Sequence, residues 1–565
     1  MNFQLSNIYL MKSLFKSFVL GIICLGISLT GLGQIALPNA GNIPTYNPAD
    51  KKVWPGELLT TPEKTAYLNT STYNDVREFL EYVNANSPLT HLEYIGKSES
   101  GREIPLIILS DPKVSTPEEA QATGKSTFYI QANIHGGEVE GKEAVMILMR
   151  EILFGDKKHL LDNQIILIAP VYNIDGNDNM GDNTRPSQEG SPMTAGTRAN
   201  GAGLDLNRDG MKLEGSETKA LLENVILKWD PQLLVDLHTT NGTWHGYSLT
   251  WAPSYHSAGQ YEPYDYTWNN MLPEITQTVY EKYDLHFGPF GDYYGLRRWP
   301  VNRFSTYNHH PRYLVNQMGL RNKLGILSEN FAHERFYQRI YAAHAFVNEI
   351  LEFTNRNAAE ITQLNKKAEQ DAINAVIEGA GVAKKGVRYQ MVAMDELLNL
   401  RTYNYGTYIN QKGDSVIYRT GEIVNLEGVE YYAKFDPTVE ATIPRGYVFS
   451  QELSHIADML KSHGVKVTQL EKNQNYTGEE FHISKVNKAN RPFEGHNMVT
   501  LEGEFKAGNK RFSKGDYVVD AAQPLANLIF YLLEPQSDDG LTTWNFFDDQ
   551  IGEGNTVYPI FKYFK

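Results

Sequence analysis

The sequence predicts an α/β fold, a mixed sheet flanked by helices, followed by a C-terminal α+β domain. Three observations predict it. Apolar strand-like runs at 127–134, 164–169, 232–237 and 324–327 alternate with helical patterns through the first part of the chain. The run at 164–169 is apolar almost throughout, as a strand covered on both faces would be. Beyond Val387 the character changes to short Tyr-, Val- and Ile-rich strands with turns such as Gln411-Lys412-Gly413-Asp414.

The elements follow in order. Residues 1–33 carry Lys12 and Lys16 but no acid, then an apolar stretch at 18–29 and the small residues Gly31 and Gly33. This reads as an export signal, because the apolar stretch is shorter than the roughly 20 residues a membrane span needs. Residues 34–70 read as an N-terminal arm. A helix is expected at 72–86, where Thr72 and Asp75 make a capping pair and Val76, Phe79, Leu80 and Val83 share a face. Strands at 91–95 and 104–110 join around Ser100-Gly101, and a helix at 140–153 ends near Gly155. A long helical pattern at 344–376 is broken at 379–386. The expected divisions are therefore a catalytic domain at 71–355, a helical linker at 356–386 and a domain of unassigned role at 387–565. In that last region, helices are expected at 451–462 and from Pro524, with a strand at 465–470.

Composition narrows the chemistry. Fifty-two Lys+Arg against 67 Asp+Glu leave a net charge of −15, which argues against a nucleic-acid binder. The single cysteine, Cys24, excludes both a disulfide framework and a thiolate zinc site within the chain. Any metal must be held by His and carboxylate. His135-Gly136-Gly137-Glu138 lies between a strand and a helix, so the His and the Glu can converge on one ion. His238 ends another apolar strand, in Asp236-Leu237-His238-Thr239-Thr240. Two His and one carboxylate leave one position of a tetrahedral ion open for water, which is the catalytic form of a zinc site.

In this order the motifs resemble the M14 family of zinc metallocarboxypeptidases, with its carboxypeptidase A-like fold, over residues 72–353. Ile95-Gly96-Lys97-Ser98 with Gly101-Arg102, the His135–Glu138 pair, and Pro170-Val171-Tyr172-Asn173-Ile174-Asp175-Gly176 carry the resemblance. So do Arg198 to Asn200, Gly203-Leu204-Asp205-Leu206-Asn207-Arg208, His238, and Glu329 in Gly325-Ile326-Leu327-Ser328-Glu329. Ile174 departs from the family's Pro. The resemblance implies one zinc ion on His135, Glu138 and His238, and Glu329 as the proton-transferring base. It implies Arg198 as oxyanion stabiliser, with Arg185 as competitor, and Asn207 and Arg208 as grips for a substrate carboxylate. Asp205 would orient His135. The family's mobile tyrosine matches Tyr307 by spacing, with Tyr313, Tyr293 and Tyr294 as alternatives. His309, His310 and Arg312 are candidates for added substrate contacts, with a hydrogen-bonded structural loop as the favoured reading of each; His496 and Asp538-Asp539 show no metal partners. The expected activity is an exported carboxypeptidase acting on peptides with a free terminal carboxylate, with no stable membrane span after signal removal. A cell-wall or N-acyl-amino-acid amidohydrolase and a non-catalytic binding protein are the competing readings.

Overall fold

A computed structural model describes residues 53–255, 259–293, 299–551 and 556–565. The expected export signal, residues 34–52 of the arm, and Tyr294 lie outside the described residues. The arm's remainder is tied down: Leu58 is buried, and Glu63 pairs with the buried Arg150 at 2.9 Å.

Helix α1 (Tyr73–Asn86) starts as its capping pair dictates. The Thr72 hydroxyl accepts from the Asp75 N–H at 3.2 Å, and the Asp75 carboxylate accepts from the Thr72 N–H at 2.8 Å. Val76, Phe79, Leu80 and Val83 are all buried on its inner face.

The first seven strands are β1 (Thr90–Lys97), β2 (Glu103–Leu109), β3 (Ser126–Ala132), β4 (Gln164–Ala169), β5 (Leu233–Thr239), β6 (Leu249–Pro253) and β7 (Phe287–Pro289). Two short strands follow, β8 (Asp292–Tyr293) and β9 (Arg303–Ser305), and then β10 (Leu324–Asn330). The main sheet has eight strands in the order β1-β2-β4-β3-β5-β10-β6-β7. Its centre is parallel: β4, β3, β5 and β10 run side by side, with antiparallel pairs at β1/β2, β2/β4 and β10/β6. Every residue of β3, β4 and β5 is buried. A mixed sheet covered by helices is thus the observed architecture, as expected.

Strand ends differ from the hydrophobic runs in an informative way. The run at 127–134 yields a strand that stops at Ala132, because Asn133 adopts φ +65° and turns the chain out of the sheet. β5 and β10 extend beyond their apolar runs to Thr239 and Asn330, so His238 and Glu329 sit inside strands. Polar residues end a hydrophobic pattern without ending the backbone ladder.

Two further helices cover the sheet, α2 (Glu140–Phe154) and α3 (Leu314–Leu320). Helix α4 (Phe336–Gly379) begins eight residues before the expected 344 and departs from helical geometry only at Asn357 (φ −110°, ψ 16°). Its first part enters the core of the main sheet through Phe346, Ile350 and Ile361, and its last turns enter a second core through Ala372 and Val376.

The chain then forms β11 (Lys384–Ala393), β12 (Leu398–Ile409) and β13 (Ser415–Thr442). These are long strands, not the short ones expected; alternating exposure along β13 hides the continuity from a hydrophobicity count. β13 pairs in parallel with β9, through Glu430↔Arg303 to Tyr432↔Ser305. The remaining strands are β14 (Gly446–Phe449), β15 (Thr468–Gln469), β16 (Gln474–Lys488), β17 (Val499–Phe512), β18 (Tyr517–Asp520) and β19 (Val557–Tyr563), which make a six-stranded sheet. Helices α5 (Ser454–Ser462) and α6 (Ala526–Leu533) pack on it. The strand expected at 465–470 shrinks to two residues, and α6 starts two residues after Pro524. Residues from Trp54 to Lys565 form one compact unit. Among the described residues no helix is long and apolar enough to cross a membrane.

One buried ion pair joins α4 to the sheet's carboxyl edge. Arg339, fully buried, donates through Nε to Glu140 Oε1, and Glu140 Oε2 accepts from the Thr239 hydroxyl at 2.6 Å. Removing one member of such a pair strands the other charge. Arg339→Ala is expected to destabilise the fold by about 3–5 kcal/mol, read as a lowered midpoint in chemical denaturation.

Candidate metal centre and active-site cleft

The loop after β3 is shaped by two asparagines. Asn133 Nδ2 donates to the carbonyls of Gly136 (3.1 Å) and Glu138 (3.0 Å), so the positive φ of Asn133 and the tight turn of 135–138 are one construction. Asn173 Nδ2 donates to the Ile134 carbonyl at 3.0 Å, and its Oδ1 accepts from the Gly176 N–H at 2.8 Å. The glycines serve close approach rather than unusual dihedrals. A Cβ on Gly136 would strike the Gly176 backbone, and one on Gly137 the Gly196 carbonyl. The motifs also lock each other: Arg102 pairs with Asp175 at 2.7 Å, and the Ser98 hydroxyl donates to Asp175 at 2.9 Å.

Three side chains converge at the carboxyl edge of the sheet. His135 Nδ1 lies 3.0 Å from Glu138 Oε1, and His238 Nδ1 lies 2.9 Å from Glu138 Oε2 and 3.3 Å from His135 Nδ1. All three residues are buried. Two imidazole nitrogens and a carboxylate, in mutual reach, are the donor set that suits zinc and could hold a metal ion. Each imidazole turns its other nitrogen to a carboxylate, His135 Nε2 to Asp205 Oδ1 (3.1 Å) and His238 Nε2 to Asp236 Oδ2 (2.8 Å). Such partners fix the ring and raise the basicity of the nitrogen facing the ion.

Burial and neighbouring charge act in opposite directions on two of the three groups. Burial opposes ionisation of Glu138, but His135 and Arg185 hold its carboxyl well below the usual range. Burial likewise opposes the charge on His238, yet Asp236 and Glu138 draw its pKa well above the ordinary value.

Glu329 stands opposite His238 in the parallel register of β10 and β5. One of its carboxylate oxygens, Oε2, is buried and has no hydrogen-bond partner among the described residues. Burial first, and Glu138 second, push its pKa up to about 8 against the opposing pull of His238 and Arg198. A positive charge beside it would lower that value and favour the ionised form that can accept a proton.

Two arginines meet Glu138. Arg185 Nη2 sits 2.5 Å from Oε1, whereas Arg198 Nη1 is 3.9 Å away. The Arg198 side chain is 42% exposed and that of Arg185 12%, so Arg198 faces the cleft and Arg185 is committed to the ligand carboxylate. Arg198 is braced by Asp205, which accepts from its Nε at 2.8 Å. The Arg208 guanidinium lies 4.5 Å from the centre of the Tyr313 ring, with Nη1 donating to the Asn207 carbonyl at 2.8 Å. Glu217, the structural alternative for Arg208, instead accepts from Asn200 at 3.0 Å.

These residues line one open cavity of about 530 Å³, together with Tyr307 and Tyr313. The Tyr307 hydroxyl donates to Asn316 Oδ1 at 3.1 Å. Tyr293 is not part of this wall; its hydroxyl donates to the Trp244 carbonyl at 2.7 Å. His309, His310 and Arg312 are absent from the wall too. His309 Nε2 meets Asp538 at 3.2 Å and Arg312 meets Asp539 at 2.8 Å, so this stretch fastens the C-terminal region. His309, His310 and Asp538 do lie together in a group the sequence did not join. Tyr531, His309 and the Tyr389 N–H already occupy both oxygens of Asp538. His245 is buried away from the cleft, against Phe331 and the Tyr247 N–H.

Comparisons with known proteins give a family and several likenesses. Residues 76–287 match the zinc carboxypeptidase family of M14 peptidases. The chain carries an M14 zinc carboxypeptidase domain. Carboxypeptidase 2 of Trichophyton rubrum is 24% identical over 503 residues, covering 85% of this chain and 84% of that protein. Carboxypeptidase D of Rattus norvegicus is 30% identical over 190 residues, 32% of this chain and 13% of that protein. A metallo-carboxypeptidase structure from Burkholderia cenocepacia overlaps 52% of this chain and 71% of its own, with 18% identity and a TM-score of 0.38.

Three residues at this candidate site were not read from sequence. Asp236 had a legible signal, since residues two apart on a strand share a face and Asp236-Leu237-His238 puts the acid beside the imidazole. Phe493 and Glu494 also line the cleft and had none, because nothing local connects them to residues three hundred positions earlier. Asp236→Asn is expected to weaken zinc affinity about 10–100-fold, measured by competition with a chromogenic chelator, while the fold stays intact.

Proposed function

We propose that this protein is an exported zinc metallocarboxypeptidase that releases C-terminal residues from peptides. The observation that carries the reading is the convergence of His135, Glu138 and His238 beside Glu329, with Arg208 facing the same cleft. His135, Glu138 and His238 would hold one zinc ion. When bound, zinc supplies Lewis acidity, acidifying water and polarising a carbonyl.

The chain's own residues account for the rest. Asn207 and Arg208 bind the terminal carboxylate, Arg208 with its planar pair of donors placed over the Tyr313 ring. This fixes the last peptide bond in register with Glu329. Glu329 takes the proton of the attacking water and later delivers it to the departing amine. Arg198 presents a fixed cation to the negative charge that develops on the carbonyl oxygen. Asp205 keeps both Arg198 and His135 in place. Tyr307 closes the cleft over the substrate. The resemblance of residues 1–33 to an export signal supports a periplasmic, surface or secreted location.

Removing zinc with a chelator should abolish release of C-terminal residues, and zinc should restore it; full activity in metal-free protein would refute the reading. Glu329→Gln is expected to keep one zinc per chain by elemental analysis and to lose about 10²–10⁴-fold in kcat.

Arg208→Ala is expected to raise KM about 10–100-fold for peptides with a free terminal carboxylate. Amidated peptides, compared at equal enzyme concentration, should show no such difference.

A further inference from the structure

The wall of the cleft includes a part of the chain far outside the residues that match the family. Phe493 and Glu494 come from the connection between β16 and β17, yet they line the same cavity as His135 and Glu329. The connection ends in a tight turn. The Phe493 N–H donates to the His496 carbonyl at 2.9 Å, and the His496 N–H donates to the Phe493 carbonyl at 3.0 Å. Glu494 (φ +48°) and Gly495 (φ +81°) form its two-residue tip. Positive φ at both positions is the geometry that matches strand twist, and glycine suits it. Glutamate does not; a side chain with a Cβ is strained in this region.

The tip is held rigidly in spite of that strain. His496 Nε2 meets Glu214 at 2.8 Å, and His496 Nδ1 meets Asn545 at 3.1 Å. Trp544, buried, lies edge-on to His496. Arg312 lies 5.3 Å from the Phe493 ring centre and is itself fixed by Asp539. The result is a carboxylate presented at the cleft by a braced backbone.

That carboxylate differs from the others in the site. Glu138, Asp205 and Asp236 each face a histidine or an arginine. Glu494 has one contact, a long 3.4 Å bond from the Asp205 N–H, and among the described residues no cation lies within ion-pair reach of it. Strain and an uncompensated charge at the rim of a binding cleft mark a group kept for a ligand. The tip is also at the mouth: Phe493 is 39% exposed. A peptide whose terminal carboxylate is gripped by Asn207 and Arg208 must leave through that mouth with its upstream residues.

We propose that residues 493–496 form a subsite for the substrate upstream of the scissile bond. In it, Glu494 binds a cationic group, the ammonium or guanidinium of an upstream Lys or Arg or the free α-ammonium of a short peptide, and Phe493 covers its aliphatic stem. This rests on the carboxypeptidase reading and adds to it a preference set by a region outside the catalytic sheet.

The test uses the zinc-loaded full chain and acetylated peptides that share one C-terminal residue and differ only upstream, with Lys, Ala or Glu. Wild-type protein is expected to favour the Lys peptide over the Glu peptide about fivefold in kcat/KM, an effect that shrinks at high salt, as for a part-exposed ion pair. Glu494→Gln should bring the ratio near one. Glu494→Lys should invert it, an outcome that damage to the fold cannot mimic. Release of the C-terminal residue from all three peptides with equal efficiency, or a ratio unchanged in both variants, overturns the subsite while leaving the carboxypeptidase reading standing. Release from none of them overturns the reading itself.

Discussion

The structure depends on one constraint: two imidazole nitrogens and a carboxylate must be held 2.9–3.3 Å from one another in a buried place. Like partial charges so placed repel unless something opposite fills the centre or surrounds the rim. The fold supplies the rim. Asp205 and Asp236 stand behind the two histidines, and Arg185 sits on Glu138. The parallel strands β3, β5 and β10 supply the stiffness, because adjacent strands about 5 Å apart deliver the loop after β3, His238 and Glu329 to one edge. A ligand site at the carboxyl ends of parallel strands is the general solution for such sheets.

The parts that brace the site are themselves polar and buried. Asn133 and Asn173 carry the loop before the metal centre, and the Arg339–Glu140 pair holds Thr239 next to His238. Each is a network whose value comes from complete satisfaction. Arg198 and Arg208 are the exception in this economy of pairing. Their guanidinium groups are steadied from one side, by Asp205 and Tyr313, and left open toward the cavity. A cleft with cations near the metal centre and a carboxylate at its mouth gives a peptide a direction: its negative end inward, its positive groups outward.

Much of this was legible in the residues because the relevant rules are local. Helix α1 begins where its capping pair says, and α2 and the buried strand at 164–169 follow their patterns to within a residue. His135, Glu138, His238 and Glu329 were each readable from position at or near a strand end. What escaped was non-local. Hydrophobicity could not mark the ends of β5 and β10, since the functional residues that finish them are polar. It could not distinguish Arg198 from Arg185, which differ in exposure and not in type. The structural reading of His309 and Arg312 holds, but their partners, Asp538 and Asp539, are more than two hundred positions away and could not be named from the residues alone. Nor could it show that β13 would pair with β9, because an alternating strand looks like many short ones.

That last pairing bears on the order in which the molecule becomes complete. A growing chain that has emerged only as far as Gly379 already owns the three prospective ligands and Glu329. It still lacks β13, one of the two neighbours of β9, the residues that clamp His309 and Arg312, and the rim at Phe493 and Glu494. The cleft therefore closes on its final outline only when nearly the whole polypeptide has been synthesised, so a half-made chain carries the prospective ligands inside an incomplete wall.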